Sequence, residues 1–286
     1  MKRLVSMLAA GVIAGGVLLS AQSVPAPRRA FGDSVTGAFE GWYYNADGSR
    51  AFLVGYYNRN SQQELDIPIG PNNHIEPGGP DMGQPTHFLP GRQWGMFAVQ
   101  APKDFKPTDS FVWTLTVNGA TTSIPFRVLP DYVMSPFKEI AVGNTPPVVK
   151  FEPSDKGIQG PLASLSTAPT MTTTVAAPLP LNVWASDDAK YTSGTSAPPV
   201  PGRPAVTVRW SKYRGPGKVT FDKARPEVAK LPTGPAVFNG KASANATFSE
   251  AGDYVLHLTA NDSSGDGGGG FGCCWTTSVV KVTVKP

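Results

Sequence analysis

The sequence predicts an all-β fold made of two β-sandwich domains. Of the 286 residues, 31 are glycine and 29 are proline, and both residue types penalise the interior of a helix. No long stretch carries apolar residues at helical spacing, whereas short strand-like runs alternate with turn residues along the chain. At roughly 100 to 200 residues per domain, the length is typical of two domains.

The composition argues against several classes of protein. Hydrophobic residues make up 40% of the chain and charged residues 16%, which is too apolar and too lightly charged for a disordered protein. The formal net charge is +4, and Lys2 and Arg3 supply two of those charges. The other basic residues are scattered singly and form no stripe, so no nucleic-acid partner is expected.

The first 26 residues predict a signal peptide for export. Lys2 and Arg3 precede an apolar run at residues 4–19, which is shorter than the ~18–20 residues of a membrane span. Small residues follow, and cleavage after Ser23 or Ala26 fits the small-residue rule. A retained N-terminal anchor is the alternative. We therefore expect an exported protein, periplasmic or extracellular, with no membrane span after signal cleavage.

Residues 39–142 are predicted to form an N-terminal β-domain, preceded by a flexible lead-in at residues 24–38. One hairpin spans residues 39–57 and turns at Asp47-Gly48, and a second turns at Asn118-Gly119. Between these hairpins, residues 68–93 are rich in proline and glycine. This segment predicts a long loop of the kind that is functional or disordered.

The C-terminal half follows a linker at residues 143–147, where Pro146-Pro147 favours a stiff, extended connection. Its strands are predicted at residues 179–185, 205–210, 218–221, 244–248, 254–259 and 279–284. Val206, Val208 and Trp210 share one face of their strand, so Trp210 is the candidate core tryptophan. Short strands separated by turn signals indicate that residues 148–286 form a sandwich.

Residues 246–265 resemble the end of a PKD or cadherin-like immunoglobulin-fold domain. A Gly-x-Tyr corner at Tyr254 leads into an alternating strand, followed by an Asp- and Gly-containing loop and a Val-x-Val strand at residues 280–284. The resemblance covers residues 146–286 and departs from the family at the Pro-rich insertion 186–204. It implies an immunoglobulin-like sandwich with the Tyr254 hydroxyl bonded back to the backbone. Leu256 and Leu258 would then point inward, and His257 toward the surface or another module.

The whole chain is also similar to exported bacterial proteins that carry a Gly-Pro-Gly … Cys-Cys-Trp signature. That signature is present here as Gly215-Pro216-Gly217 and Cys273-Cys274-Trp275. The likeness implies a location outside the cytoplasm more than it implies an activity.

Cys273 and Cys274 are the only cysteines of the chain. An exported protein meets oxidising conditions, so a vicinal disulfide is favoured over two free thiols. Two roles stay open for this element. Cys273, Cys274 and Trp275 form a ligand platform for a ring or a sugar face, or they form a structural turn that closes the loop at residues 267–270.

Calcium is the one cofactor that the sequence suggests, and none is certain. The candidate ligands are Asp187, Asp188, Asn261, Asp262 and Asp266. Ca²⁺ takes several oxygen ligands from flexible loops, and these residues carry them. Their spacing matches no EF-hand, and surface turns are the alternative interpretation.

A second candidate metal set lies in the predicted loop. His74, Glu76, Asp81 and His87 offer imidazole and carboxylate ligands that suit Zn²⁺ or Fe²⁺. A metal-dependent enzyme centred on residues 70–93 is therefore one alternative function. Elsewhere the sequence has no Gly-x-Ser-x-Gly elbow and no carboxylate pair at a telling spacing, so no catalytic residues are predicted and an enzyme is not expected.

The leading hypothesis is a secreted or periplasmic, non-enzymatic binding or adhesion protein of the cell envelope. Its expected partner is a protein or carbohydrate ligand. The other alternative is a carbohydrate-binding accessory module that uses Trp275 and an N-terminal aromatic group for stacking. That group is Trp42, Tyr43, Tyr44, Tyr56 and Tyr57, and strand alternation places about half of it in the core.

Overall fold

The computed structural model describes residues 29–140, 143–162, 164–190, 204–262 and 273–286. The predicted signal peptide lies outside these residues. The described chain is built of β-strands and one short 3₁₀ turn at Pro130–Tyr132. None of its helices is long and apolar enough to cross a membrane.

The N-terminal unit is a sandwich of two three-stranded antiparallel sheets. Its strands are β1 (Val35–Tyr44), β2 (Arg50–Asn58), β3 (Leu65–Asp66), β4 (Asn73–Glu76), β5 (His87–Phe88), β6 (Gly91–Gln100), β7 (Phe111–Val117) and β8 (Ala120–Phe126). One sheet has the order β1-β2-β6, the other β4-β7-β8, and β3 pairs with β5 beside them. This neighbour order corresponds to strands A-B-E and C-F-G of an immunoglobulin-type sandwich.

The C-terminal unit is a second sandwich, with nine described strands. They are β9 (Val148–Lys150), β10 (Thr170–Thr174), β11 (Leu179–Asp187), β12 (Val206–Arg214), β13 (Val219–Phe221), β14 (Ala229–Lys230), β15 (Phe238–Phe248), β16 (Gly252–Asp262) and β17 (Trp275–Lys285). One sheet runs β9-β11-β15-β13, with β14 also on β15, and the other runs β10-β17-β16-β12. The order matches the A-B-E-D and C-F-G sheets of the immunoglobulin fold, with β10 added parallel to β17. The predicted all-β fold of two sandwiches is confirmed.

The tyrosine corner of the C-terminal sandwich is present at the predicted residue. The Tyr254 hydroxyl donates to the backbone oxygen of Glu250 at 2.9 Å and accepts from the backbone N–H of Gly217 at 3.0 Å. Leu256, Leu258 and Trp210 are buried in the same core. The inward face of β16 is therefore the one that the alternation of its residues predicts.

Both predicted hairpins are also present. Asn118 and Gly119 have φ values of 51° and 75°, as a two-residue type I′ turn requires, and they join β7 to β8. Asn45 closes the other turn, because its backbone N–H donates to the Ser49 oxygen at 2.8 Å.

The flexible lead-in is wrong for the part of it that the structure describes. Strand β1 begins at Val35, inside the predicted lead-in. Upstream of it, the backbone oxygen of Arg29 accepts from Ser61 and that of Ser34 accepts from Arg59. These bonds fix residues 29–34 against the chain that leaves β2.

The long loop predicted at residues 68–93 is also wrong, because β4, β5 and the start of β6 lie within it. The buried Asn73 amide donates to the backbone oxygens of Ile67 and Pro85, and its own oxygen accepts from the Trp113 indole. The prolines and glycines therefore form turns between short strands, and these strands are held by side-chain hydrogen bonds that the composition does not reveal.

The two sandwiches are joined by direct polar contacts. Arg214 of β12 forms two hydrogen bonds to Asp81, at 2.8 and 2.9 Å. His257 of β16 stacks on Tyr213 and contacts the backbone oxygen of Met96 at 3.2 Å, so it points toward the other module, one of the two predicted directions. These contacts hold the two units in a fixed relative position.

The predicted linker is itself packed against the C-terminal unit. Asn144, Pro146 and Pro147 are buried. The Asn144 amide donates to Asp262 at 2.8 Å, and the Pro147 oxygen accepts from the Thr276 hydroxyl. The connection between the domains is therefore anchored to the C-terminal sandwich.

Candidate functional site

A cleft of about 600 Å³ opens between the two sandwiches. Strand β6 lines it on the N-terminal side, and β12 with residues 225–228 lines it on the C-terminal side. Thr259 of β16 and Trp275 of β17 complete the described wall. Its volume lies within the roughly 300–1,000 Å³ that is usual for ligand pockets, and domain interfaces are a preferred place for them. We call it the interdomain cleft.

Irregular strand pairing places the first group of side chains at this cleft. Glu40 is the extra residue where the register of β1 shifts against β2, and residues 94–96 of β6 lie opposite Gly55 alone. Such bulges bend a strand and redirect its side chains. Trp94 consequently leaves the plane of the ladder and is 40% exposed at the rim of the cleft.

Trp94 is held by an ion pair beneath it. The Arg92 guanidinium lies 3.8 Å from the centre of the Trp94 ring and 2.9 Å from a carboxylate oxygen of Glu40. Glu40 also accepts from the backbone N–H of Gly95, and its side chain is buried. Burial raises the pKa of Glu40, while the Arg92 charge and the Gly95 N–H act in the opposite direction. The stack fixes the ring before any ligand arrives.

The opposite wall of the cleft carries two further arginines. Arg209 donates to the Gln93 side-chain oxygen at 3.2 Å, and Arg225 is exposed beside it. Burial, and then the positive charge of Arg225, lower the pKa of the Arg209 guanidinium. Among the described residues neither arginine has an ion pair with a carboxylate, and Glu227 is the one carboxylate in the lining. This wall therefore carries excess positive charge.

The predicted vicinal disulfide between Cys273 and Cys274 is present, across a cis peptide bond. The Cys274 Sγ lies 3.5 Å from the backbone oxygen of Asn144, so the disulfide packs against the linker. Trp275 is only 3% exposed and packs with Tyr43 and Leu53 of the N-terminal unit. The loop at residues 267–270 lies outside the described residues.

The ligand platform predicted at Cys273, Cys274 and Trp275 needs correction. All three side chains are buried, so they offer no open face to a ring or a sugar. A side chain added at Gly95 would lie 2.6 Å from the Trp275 Nε1, which shows how closely β6 covers the indole. Trp275 therefore forms the floor of the interdomain cleft, and the exposed ring is Trp94.

The N-terminal aromatic group does not form a stacking surface either. Trp42, Tyr43 and Tyr56 are buried, and Tyr44 is exposed, with Tyr57 half-buried. Both faces of the β1–β2 hairpin are covered, one by the opposing sheet and the other by the small core around Trp275. More than half of the group is consequently interior.

The predicted calcium ligands are only partly brought together. Asp187 and Asp262 are buried close to one another, and the Asn144 amide donates to Asp262. Asp187 accepts from the Ala189 N–H, and burial, then the charges of Asp262 and Asp188, raise its pKa to about 7. Asn261 lines the interdomain cleft.

Asp188 instead accepts a hydrogen bond from Thr145, and Asp266 lies outside the described residues. Within the described ranges, no group of three or more His, Cys, Asp or Glu side chains is placed to hold a metal ion. Calcium stays a prediction.

The transition-metal set at residues 74–87 is not assembled, because its members have separate partners. His74 contacts the Gly70 oxygen, and Asp81 pairs with Arg214. His87 lies between Glu64 and Asp66, at 3.3 and 2.9 Å. His74 and Glu76 share one face of β4 and line a common surface pocket, but Asp81 and His87 bond to other segments, so the four residues do not converge.

The residues of the cleft were missed by sequence reasoning. Arg92, Trp94, Arg209 and Arg225 come from segments far apart in the chain, and no spacing links them. One signal was available, since Glu40 interrupts a strand of apolar and aromatic residues. A carboxylate in such a run predicts a buried partner, which is Arg92.

No family model matches the sequence, and no curated protein sequence matches it. Among solved structures, domains 4 and 5 of the S-layer protein SbsC are 11% identical, with 89% of this chain and 98% of that chain covered and a TM-score of 0.22. Titin domains Z1Z2, solved in complex with telethonin, are 12% identical, with 87% and 96% covered and a TM-score of 0.21.

A protein of unknown function from Porphyromonas gingivalis W83 is 8% identical, with 89% of this chain and 100% of that chain covered and a TM-score of 0.22. Likenesses at these scores carry no argument. The fold assignment rests on the strand order of the two sandwiches.

Proposed function

We propose that the protein is an exported, non-enzymatic binding protein of the cell envelope and that its ligand binds in the interdomain cleft. One observation carries the proposal. The exposed Trp94 ring, fixed by Arg92, faces a cleft that also holds Arg209 and Arg225 without a carboxylate partner. An exposed aromatic ring beside guanidinium groups that form no ion pair gives a concave site both a stacking surface and hydrogen-bond donors for a ligand.

The rigidity of the site supports a binding role. Glu40 and Arg92 hold the ring of Trp94, and the contacts of Arg214 and His257 hold the two walls together. A site arranged before binding loses less conformational freedom when its ligand arrives. Two packed sandwiches therefore supply a site that is arranged before binding, which one sandwich with mobile loops would lack.

The chemistry of the lining favours binding over catalysis. The described lining contains no histidine, and Glu227 is its one carboxylate. General acid–base chemistry needs a titratable group positioned at the reacting bond, commonly two. Retention of a ligand requires only the stacking surface and the donors that this cleft has.

Export is supported by the N-terminal residues and by the disulfide. Lys2, Arg3 and the apolar run that follows have the pattern of a signal peptide. Disulfides persist in oxidising compartments, and the chain has a disulfide between Cys273 and Cys274. Location at the envelope is part of the proposal.

Between a protein and a carbohydrate ligand, the geometry favours carbohydrate. The Trp94 ring is flat and exposed at the rim of a concave site, where the C–H face of a sugar can stack on it. A glycan array probed with the mature protein tests this, with Trp94→Ala as the variant. Tyr44→Ala is the matched control, because Tyr44 is an exposed aromatic that does not line the cleft.

We expect glycan binding by the wild type and by Tyr44→Ala, weakened about tenfold or more in Trp94→Ala. The proposal fails if Trp94→Ala binds as the wild type does, or if no class of glycan is retained. Turnover of a bound glycan by the purified protein would overturn the non-enzymatic part.

A further inference from the structure

We infer that the ligand of the interdomain cleft is an anionic polysaccharide whose sugar ring stacks on Trp94 and whose carboxylate is bound by Arg209 and Arg225. This inference rests on the proposed function, since it names the ligand class of the same site. It goes further, because a sugar-binding cleft does not need charge.

The first argument is the charge of the wall. Arg209 and Arg225 are close enough for each charge to act on the other, and Arg209 is half-buried. Two like charges in a partly desolvated place raise the free energy of the empty site, and an anion between them lowers it. The side chain that Arg209 contacts is the neutral amide of Gln93. The nearby Glu64 carboxylate also acts on the Arg209 charge, but its ion pair is with His87.

The second argument is the difference between these arginines and Arg92. Arg92 lines the same cleft, yet its charge is balanced by the buried carboxylate of Glu40. The fold thus supplies an internal counter-ion for the guanidinium that positions the stacking ring. Among the described residues, the ion pairs include neither of the two arginines that face the open space, although Glu64 lies near Arg209 and Glu227 shares the lining. The counter-ion of Arg209 and Arg225 is therefore expected from the ligand.

The third argument is geometric. A guanidinium presents N–H groups in a planar fork that matches the two oxygens of a carboxylate. In a uronic acid the carboxylate is attached directly to the ring, so one sugar unit carries both the stacking face and the anion. Thr207 and Thr259 add hydroxyl groups to the lining, and Glu227 adds an acceptor for sugar hydroxyls.

The single carboxylate of the lining, Glu227, also favours a ligand whose negative charges are widely spaced. Glu227 would repel a ligand that carries an anion on every side. A chain of uronic acids presents its carboxylate on one side of each ring and hydroxyls on the others. That pattern fits one positive wall and one acceptor better than a compact polyanion does.

The experiment is a calorimetric titration of the mature protein with three probes. Hexagalacturonate is the acidic sugar chain, cellohexaose is the neutral chain, and citrate is a carboxylate without a sugar. Arg225→Gln is the test variant, because Arg225 is exposed and makes no described hydrogen bond, so its loss leaves the fold intact. Arg127→Gln is the matched control, since Arg127 is exposed and does not line the cleft.

We expect hexagalacturonate to bind at least about tenfold more tightly than either other probe, and more weakly as salt is raised. Arg225→Gln should weaken it about tenfold, and Arg127→Gln should leave it unchanged. Trp94→Ala should weaken it as well, with less effect on its salt dependence.

Three results would overturn the inference. They are equal affinity for cellohexaose and hexagalacturonate, wild-type affinity in Arg225→Gln, and citrate binding as tightly as the sugar chain. If cellohexaose and hexagalacturonate bind equally well and Trp94→Ala loses cellohexaose binding, the proposed carbohydrate-binding function is supported and the anionic ligand is refuted. If Trp94→Ala and the wild type bind every probe alike, the proposed site falls with it.

Discussion

Asp187 gives the sharpest test of the interior of the C-terminal sandwich. Its carboxyl is 3% exposed and lies near Asp262, and its pKa is raised from 3.8 to about 7. Because the folded state binds the proton more tightly than the unfolded state, this group stabilises the fold below about pH 4. That stability is lost as the pH rises through about 7.

At about 1.4 kcal/mol per pH unit, the loss is at most about 4 kcal/mol. Asp187→Asn replaces the titrating carboxyl with a neutral amide that can still accept from the Ala189 N–H. We expect the variant to be more stable than the wild type at pH 8, by up to that amount, and the advantage to shrink toward pH 5. Urea unfolding followed by tryptophan fluorescence at pH 5, 6.5 and 8 measures it.

Asp104→Asn is the control, because Asp104 is an exposed carboxylate that is not among the charges acting on Asp187. A difference between Asp187→Asn and wild type that does not change with pH would refute the reasoning. The reasoning would also be refuted if Asp187→Asn were less stable than the wild type by a larger amount at pH 8 than at pH 5. Added calcium chloride tests the cofactor prediction, since a cation bound by Asp187 would stabilise the wild type at pH 8 but not the variant.

Three further predictions concern packing and pH. Gly95→Ala adds a methyl group against the buried Trp275 at a φ of +52°, so it should lower the free energy of unfolding by about 2 kcal/mol or more and the melting temperature by several degrees. Gly48→Ala is the control, because Gly48 has a φ of +80° and open space around it, and it should lose only about 1 kcal/mol. Equal losses in the two variants would contradict the close approach of Gly95 to Trp275. Tyr254→Phe removes the hydroxyl that joins Gly217 to Glu250 and should cost about 1–3 kcal/mol in urea unfolding; a loss below about 0.3 kcal/mol would contradict the corner. Burial lowers the pKa of His257 to about 4, so stability that is present above about pH 6.5 is lost as the pH falls through 4. The His257→Gln variant should lack that loss when its unfolding is measured at pH 6.5 and pH 4. A variant as sensitive to acid as the wild type would contradict this role of His257.

The local pattern of the chain predicted the parts of the fold that depend on neighbouring residues. Asn118-Gly119 lies between two alternating runs and favours a two-residue turn with positive φ, so its hairpin could be predicted from the local sequence. Alternation places Leu256 and Leu258 on one face, because it is a property of a single strand. The Tyr254 corner was implied by the resemblance to immunoglobulin-fold domains. The vicinal disulfide follows from two adjacent cysteines in a chain that is predicted to be exported.

The predictions that failed required knowledge of distant segments. Residues 68–93 have the composition of a loop, and only the contacts of Asn73 with Ile67, Pro85 and Trp113 make them short strands. Trp275 looked available for stacking, and burial under Gly95 of the other sandwich removed it. A sequence shows the chemistry of a side chain but not what covers it.

By itself the sequence determined the all-β class, the two sandwiches and the cysteine pair, because turns and alternation act over a few residues. The Tyr254 corner was what the resemblance to immunoglobulin-fold domains implied. The tertiary structure alone decided which aromatic ring is exposed and which arginines lack a partner. Trp94 and Arg225 lie 131 positions apart in the sequence, and they line one cleft because the two sandwiches meet there, with Arg209 of β12 bonded to Gln93 of β6. Contacts of that range depend on how the domains dock, which no local pattern encodes.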